Sequence, residues 1–361
     1  MRRDSPVFLI GHGVRHAGGV PLAEKILALN APVLTSWQAA DLVDSDHPNF
    51  FGRPGVYGQR CANRVLYNAS DVYLIGCRAS KFTIGHEGWR PGQRVEMLDI
   101  DEDEGAGVDA FIHADASKAP ELFSDVRASK AWYDQCIEWR ARYAWFEASH
   151  VGPGLKLNAY EVVEAASHYF KPNEIVVTDM GVALCAAHQV VKLKPPQRLL
   201  TSGGLGEMGC GLPAAVGASF ASGYGPVTCL HCDGGMMFNL QELQTIRHHR
   251  LPIKILVLDN DGYVMIKSTQ RNLGIDYTGV SPTTGVSVPN LAQVALSMGI
   301  AAMTCLGRNN LKSSLDWLFS DHPLPQLLVV KTDPDQEFSP KLQPIREGNN
   351  LRSPTFEELS P

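Results

Sequence analysis

Short apolar runs that read as buried strands alternate along this chain with stretches that read as helices, and that alternation is the tightest restriction on its fold. Pro6–Ile10, Ala31–Thr35, Val72–Ile75 and Val95–Ile100 carry strand character, with a helix over Val20–Leu29 and helical character from about 118 to 147. Val151-Gly-Pro-Gly154 then marks a boundary. Past it the alternation restarts, with strands at Ile175–Thr178, Val227–His231, Ile253–Leu258, Ile300–Thr304 and Gln326–Lys331. Helices are expected between them at Gly211–Ser222, Phe238–His249, Asn290–Met298 and Asn309–Phe319. Such a pattern implies an α/β chain whose sheets are parallel and covered by helices on both faces.

A length of 361 residues accommodates two such domains, expected at 1–150 and 151–335. The polar, proline-rich remainder, 336–361, reads as a tail lying over the surface with no core of its own. With 44% hydrophobic residues there is material for two packed cores. The formal net charge of -6, with no basic run, gives no footing for nucleic acid. The opening MRRDSPVFLIGHG is too short in apolar residues for a signal-peptide core or a membrane span. Together with eight scattered cysteines, read as reduced, this points to the cytoplasm.

Some features invite chemistry that their context does not support. Gly11-His-Gly-Val-Arg-His16 follows the first strand but lacks the third glycine of a dinucleotide fingerprint, and Thr35-Ser-Trp37 offers no carboxylate for a ribose. A tight strand-to-helix turn accounts for it better than nicotinamide binding. Cys229-Leu-His-Cys232 has no second cysteine pair for zinc and lies in an expected strand, where packed thiols are the simpler reading.

The informative stretch begins at Asp233. Asp233-Gly234-Gly235 ends one strand and opens a helix, and Asn260-Asp261-Gly262 ends the next strand, 27 residues after Asp233. Both segments therefore fall at the carboxyl edge of one parallel sheet, where such folds bind ligands. Glycines there let the backbone approach an anion, while Asp and Asn supply hard oxygens. A carboxylate, an amide oxygen and a main-chain carbonyl suit Mg²⁺ bound to a diphosphate.

The segment from Cys232 through Tyr263 resembles the diphosphate-binding motif of thiamine diphosphate enzymes, Gly-Asp-Gly followed some two dozen residues later by Asn-Asn. Thr201-Ser-Gly-Gly-Leu-Gly-Glu-Met-Gly-Cys-Gly-Leu-Pro-Ala-Ala-Val-Gly217 is similar to the segment of acetolactate synthase-like enzymes that cups the middle of the cofactor. The first domain, with Gly11-His-Gly-Val-Arg15 and Gly52-Arg-Pro-Gly55, resembles the family's Rossmann-like central domain, and the ending Ser353–Pro361 is similar to the family's ending. The resemblance covers essentially the whole chain.

It implies that Asp233, the Asn260 side chain and the Gly262 carbonyl ligate Mg²⁺, and that Gly234 and Gly235 place amides on the diphosphate of thiamine diphosphate at a helix start. Met208 matches the residue that wedges under the cofactor and bends it. The Gly206 carbonyl matches the acceptor for the aminopyrimidine, which helps the imino form take the thiazolium proton. Three positions depart from the pattern. Cys232 replaces the first glycine, Asp259 replaces the first asparagine, and Asp179-Met-Gly-Val-Ala-Leu-Cys185, with apolar Val182, Ala183 and Leu184, stands where acetolactate synthases carry a Gly-Gln-His-Gln run facing the substrate.

Full-length relatives begin with a pyrimidine-binding domain that carries the glutamate activating the cofactor ring, whereas here Met1 falls directly before the central domain. The resemblance therefore implies a large subunit of a split enzyme, active with a separate short subunit in a hetero-oligomer such as a heterotetramer. The expected reaction is decarboxylation of a 2-oxo acid and transfer of the acyl carbanion equivalent to an acceptor. Simple decarboxylation to an aldehyde, a catalytically silent scaffold and a nucleotide-binding oxidoreductase are the rival readings. Arg78 in Gly76-Cys-Arg78 echoes an FAD site of some relatives, but Ala79-Ser80-Lys81 departs from their pattern, so FAD is not expected.

Overall fold

The computed structural model describes residues 4–343, 345–347, 350–356 and 358. The chain divides into two compact units. The first comprises the described residues of 1–145, 192–195 and 338–361; the second comprises Phe146–Val191 and Pro196–Glu337. Among the described residues no helix is long and apolar enough to cross a membrane.

In the first unit, strands β1 (Pro6–Ile10), β2 (Val33–Thr35), β3 (Asp71–Ile75), β4 (Arg94–Asp99) and β5 (Ala110–His113) form a parallel sheet in the order β2-β1-β3-β4-β5. β1 is buried on both faces, as its unbroken apolar run requires. Phe8 and Ile10 pack with Leu22 and Ile26 of the helix Gly19–Leu27. Val7 and Leu9 point the other way, toward Val65 and Leu66 of the helix Arg60–Asn68 and Cys136 of the helix Lys130–Arg142. The glycines after β1 serve backbone packing. Gly13 N–H donates to the Gly76 carbonyl at 2.9 Å, and a Cβ on Gly11 would lie 2.1 Å from that same oxygen.

The second unit holds the parallel sheet β10-β11-β9-β8-β6-β7, built from β6 (Ile175–Thr178), β7 (Arg198–Leu200), β8 (Val227–Cys232), β9 (Ile253–Asp259), β10 (Ala301–Cys305) and β11 (Gln326–Lys331). From β6 the chain winds first to β7 on one side and then to β8 on the other. The β6/β8 carboxyl edge is therefore a switch point, where ligands bind in open parallel sheets.

The structure differs from the sequence reading in definite places. β5 and the three-residue β7 carry too little apolar pattern to stand out. The expected helix over 118–147 is broken into Ala119–Leu122 and Lys130–Arg142, because the Ser129 hydroxyl caps a new start by accepting the Trp132 N–H. Helix Val182–Val190 is buried on every side, so it shows no amphipathic period. The C-terminal segment joins the first unit's core: Leu342 donates its N–H to the Val56 carbonyl at 2.8 Å, and Leu342 and Phe356 are buried. Pro361 and several of its neighbours lie outside the described residues.

Glu174, just before β6, is buried and accepts hydrogen bonds from the Thr228 hydroxyl at 2.7 Å and the Lys171 N–H at 3.2 Å. Burial pushes its carboxyl above the usual glutamate value, against the pull of those donors. The folded state thus holds the proton more tightly than the unfolded chain does. The corresponding stability is present below the unfolded pKa and is lost as pH rises through the folded one. Glu174→Gln, which keeps the Thr228 bond and cannot ionise, should gain on the parent steadily as pH rises from acid to neutral. Thermal melts across that range check it; a difference independent of pH would contradict it.

Candidate functional site

β8 and β9 pair in register, with Cys232 opposite Leu258, so Asp233 and the Asn260 loop leave the same sheet edge side by side. Asp233 opens a single helical turn, Asp233–Met236, and is wholly buried. Its Oδ2 accepts the Gly262 N–H at 2.8 Å, while its Oδ1 is buried without a partner. Asn260 repeats the pattern, with a buried Oδ1 that nothing answers. A buried unpaired oxygen costs about 1–3 kcal/mol, and more when charged. Burial first, and Asp259 second, push the Asp233 carboxyl above its ordinary range, against the N–H groups of Gly262 and Gly234.

Among the described residues no three His, Cys, Asp or Glu side chains are arranged to hold a metal. Carboxylate, amide and main-chain carbonyl together do suit one, because Mg²⁺ takes few protein oxygens and completes its octahedron with phosphate and water. Asp233 Oδ1 and Asn260 Oδ1 are the two orphaned oxygens that such an ion would answer, and Gly262, whose carbonyl would be the third ligand, is already tied to Asp233.

The glycines around the site are set by close contacts. A Cβ on Gly234 would lie 2.3 Å from the Tyr263 ring, and one on Gly235 would lie 1.9 Å from Asp179 Oδ2. Gly262 has φ +141°, and a Cβ there would come within 2.2 Å of the Val280 carbonyl oxygen. Gly206 has φ +67° and packs under the Met180 methyl. The loop carrying Gly206 and half-buried Met208 is tied to the segment after Asp233, since Asn239 Nδ2 donates to the Gly209 carbonyl at 2.9 Å. Leu205 at its tip is 91% exposed, and Phe238 and Ile266 are exposed as well. A cavity of about 260 Å³ beside Asn260 is lined by Val264, Lys267, Val280 and Pro282.

The two departures from the motif have local explanations. Cys232 is the last residue of β8 in ordinary extended geometry, so a side chain is accommodated. Asp259 is engaged by Lys331, whose Nζ lies 2.8 Å from it and 3.1 Å from Asp261. Cys229 and Cys232 are buried free thiols, and burial raises the pKa of both. Arg78 is paired with Glu104. The sequence carries no sign of the parts that Tyr263 and Lys331 play here, and it shows Met180 only as a member of the 179–185 run. Lys331 was findable only through strand register, since it sits opposite Asp259 on the neighbouring strand.

Residues 179–330 match the family model described as the C-terminal TPP binding domain of thiamine pyrophosphate enzymes, and residues 2–120 match that of their central domain. The chain belongs to the thiamine pyrophosphate enzyme family. Among curated proteins it is similar to the acetolactate synthase isozyme 2 large subunit of Escherichia coli, at 27% identity over 97% of this chain and 64% of the relative. The isozyme 1 large subunit of the same organism is 29% identical, over 94% of this chain and 60% of the relative. The probable acetolactate synthase large subunit of Methanocaldococcus jannaschii is 29% identical over 99% and 64%. The chain thus spans 60–64% of the length of these relatives. The family's cofactor, thiamine pyrophosphate (thiamine diphosphate), belongs to the domain that contains Asp233 and Asn260.

The Gly262 turn admits no side chain without backbone movement. Gly262→Ala should lower stability by about 1–3 kcal/mol and shift the urea midpoint down. An unchanged midpoint would mean that Val280 does not close on this loop.

Proposed function

We propose that this chain carries the diphosphate- and metal-binding half of an enzyme that decarboxylates a 2-oxo acid and passes the acyl carbanion equivalent to an acceptor, as a carboligase of the acetolactate synthase kind. The observation that carries this reading is the pair of buried, unanswered oxygens on Asp233 and Asn260 at the edge of a thiamine pyrophosphate-binding domain. Asp233, Asn260 and the Gly262 carbonyl would hold Mg²⁺. The amides of Gly234 and Gly235 would face the diphosphate, where a helix start favours an anion. Met208 would support the middle of the cofactor, and the Gly206 carbonyl would accept a hydrogen bond from its aminopyrimidine. Thiamine diphosphate, when bound, supplies the electron sink for losing CO₂ from a 2-oxo acid.

Nothing in the reading assigns the ring-activating glutamate to these residues. We place it on a pyrimidine-binding module outside residues 1–361, taken here as a separate short subunit in a hetero-oligomer. Two observations support this. The two matched family models describe the central and C-terminal domains, and the chain accounts for under two thirds of its relatives' length. The exposed Leu205, Phe238 and Ile266 also give such a module an apolar seat. Val182, Ala183 and Leu184 are all buried at the start of their helix, which favours the second reading, release of an aldehyde, over acetolactate formation proper.

With thiamine diphosphate and Mg²⁺, CO₂ release from 2-oxo acids should be absent for the purified chain and should appear on adding the module. Turnover by the chain alone, or a loaded complex that consumes no 2-oxo acid, would overturn the proposal. Asp233→Ala should abolish Mg²⁺-dependent cofactor binding in calorimetry on the complex; undiminished affinity would remove Asp233 from the site. Met208→Ala should cost about tenfold in kcat while changing cofactor affinity by less than about threefold. Equal losses in both would make Met208 an ordinary packing residue.

A further inference from the structure

Asp179 follows the last residue of β6, at the switch point between β6 and β8, and its side chain is wholly buried. Its N–H donates to the Leu230 carbonyl at 2.9 Å, which carries the β6–β8 ladder one residue beyond Thr178 and fixes the backbone there. From that rigid point the carboxylate reaches two separate segments. Oδ1 accepts the N–H of Gly211 at 3.1 Å. Gly211 is the first residue of the helix Gly211–Ala221, and the loop with Gly206 and Met208 runs directly into it. Oδ2 lies against Gly235, close enough that a Cβ there would stand 1.9 Å away. The same oxygen is 3.5 Å from His231 Nδ1 on β8 and has no hydrogen-bond partner.

These contacts explain two glycines that the diphosphate motif alone does not. Gly235 is bare because Asp179 occupies the space beside it. Gly211 is bare because Asp179 Cβ and the His231 ring close on it, at 3.0 Å and 2.8 Å from where a Cβ would be. An apolar residue at 179 could fill the volume but could not accept the Gly211 N–H, one of the four donors that a helix start leaves open. Asp179 and the His231 ring thus both lie against the helix after the Gly206–Met208 loop and against the Asp233–Gly235 turn, and of the two it is Asp179 that hydrogen-bonds the helix start.

We propose that Asp179 is a positioning residue that sets the Gly206–Met208 loop against the Asp233 turn, so that the two segments assigned to the cofactor's middle and to its diphosphate keep one spacing. The inference rests on the functional reading of those segments given above. Such a residue acts through geometry, and misplacing a cofactor-facing group by about 1 Å can cost a hundredfold in rate. The substitution that separates geometry from charge is Asp179→Asn, which keeps an oxygen for Gly211, whereas Asp179→Ala removes it.

Hydrogen exchange at the Gly211 amide, read by NMR or by peptide mass spectrometry over 201–211, tests the contact on the chain itself. Titration with thiamine diphosphate and Mg²⁺ on the assembled complex tests its consequence. The Gly211 amide should be strongly protected in the unsubstituted chain and deprotected at least tenfold in Asp179→Ala, with protection restored in Asp179→Asn. Cofactor affinity should follow the same order, falling about tenfold in Asp179→Ala and staying within threefold in Asp179→Asn. An exposed Gly211 amide in the unsubstituted chain overturns the proposal even if Asp179→Ala fails to fold. So does an Asp179→Ala complex with unchanged protection and affinity, or an Asp179→Asn variant as impaired as Asp179→Ala. If the unsubstituted complex binds no thiamine diphosphate, the functional reading falls, while exchange at Gly211 still decides whether Asp179 holds the loop.

Discussion

A carboxylate withdrawn from water with only one of its two oxygens answered is the constraint around which the second unit is arranged. Asp233 is held at the end of β8, where the Gly262 N–H satisfies Oδ2 and nothing satisfies Oδ1. Such a group is costly to bury, and the surrounding peptide donors offset only part of that cost. Asn260, on the adjacent strand end, presents a second unanswered oxygen. A divalent ion would resolve both deficits at once, because it would answer the oxygen lone pairs without needing the protein to find further donors.

The neighbouring residues follow from keeping that arrangement clear. Side chains on Gly234, Gly235 or Gly262 would collide with Tyr263, Asp179 and the Val280 carbonyl respectively, so these glycines are fixed by packing as much as by ligand approach. Two further carboxylates, Asp259 and Asp261, flank the site and would compete for a cation if left free. Lys331, brought opposite Asp259 by the β9/β11 register, engages both and leaves Asp233 as the carboxylate without a cationic partner in this cluster. Charge around the site is thus distributed by strand order, since residues far apart in sequence meet only because their strands are neighbours.

Legibility in the sequence divided along the same line. Buried central strands such as Pro6–Ile10 and Gln326–Lys331 announce themselves as unbroken apolar runs, and the Asp233 and Asn260 segments could be placed at one sheet edge from their strands alone. Helix Val182–Val190 was silent because burial on every side erases the amphipathic period. β7, with three residues, is too short to carry a pattern. The roles of Lys331 and Asp179 were not legible for a different reason, although Asp179 opens the 179–185 run that departs from the family pattern. One acts across a strand pairing and the other through Gly211 and Gly235, so neither role can be read from a local motif. The tail's Leu342 and Phe356 were read as surface, and they are core of the first unit because they pack beside Val56 and Gly85.

The central claim is that the unanswered oxygens of Asp233 and Asn260 are a metal seat for a bound diphosphate. Anomalous diffraction from Mn²⁺, in crystals of the complex grown with thiamine diphosphate, tests it most directly. The account predicts one strong peak at inner-sphere distance from Asp233 Oδ1, Asn260 Oδ1 and the Gly262 carbonyl, with diphosphate oxygens completing the shell. A peak seated instead on Asp259 and Asp261, or diphosphate density with no metal at Asp233, would contradict it.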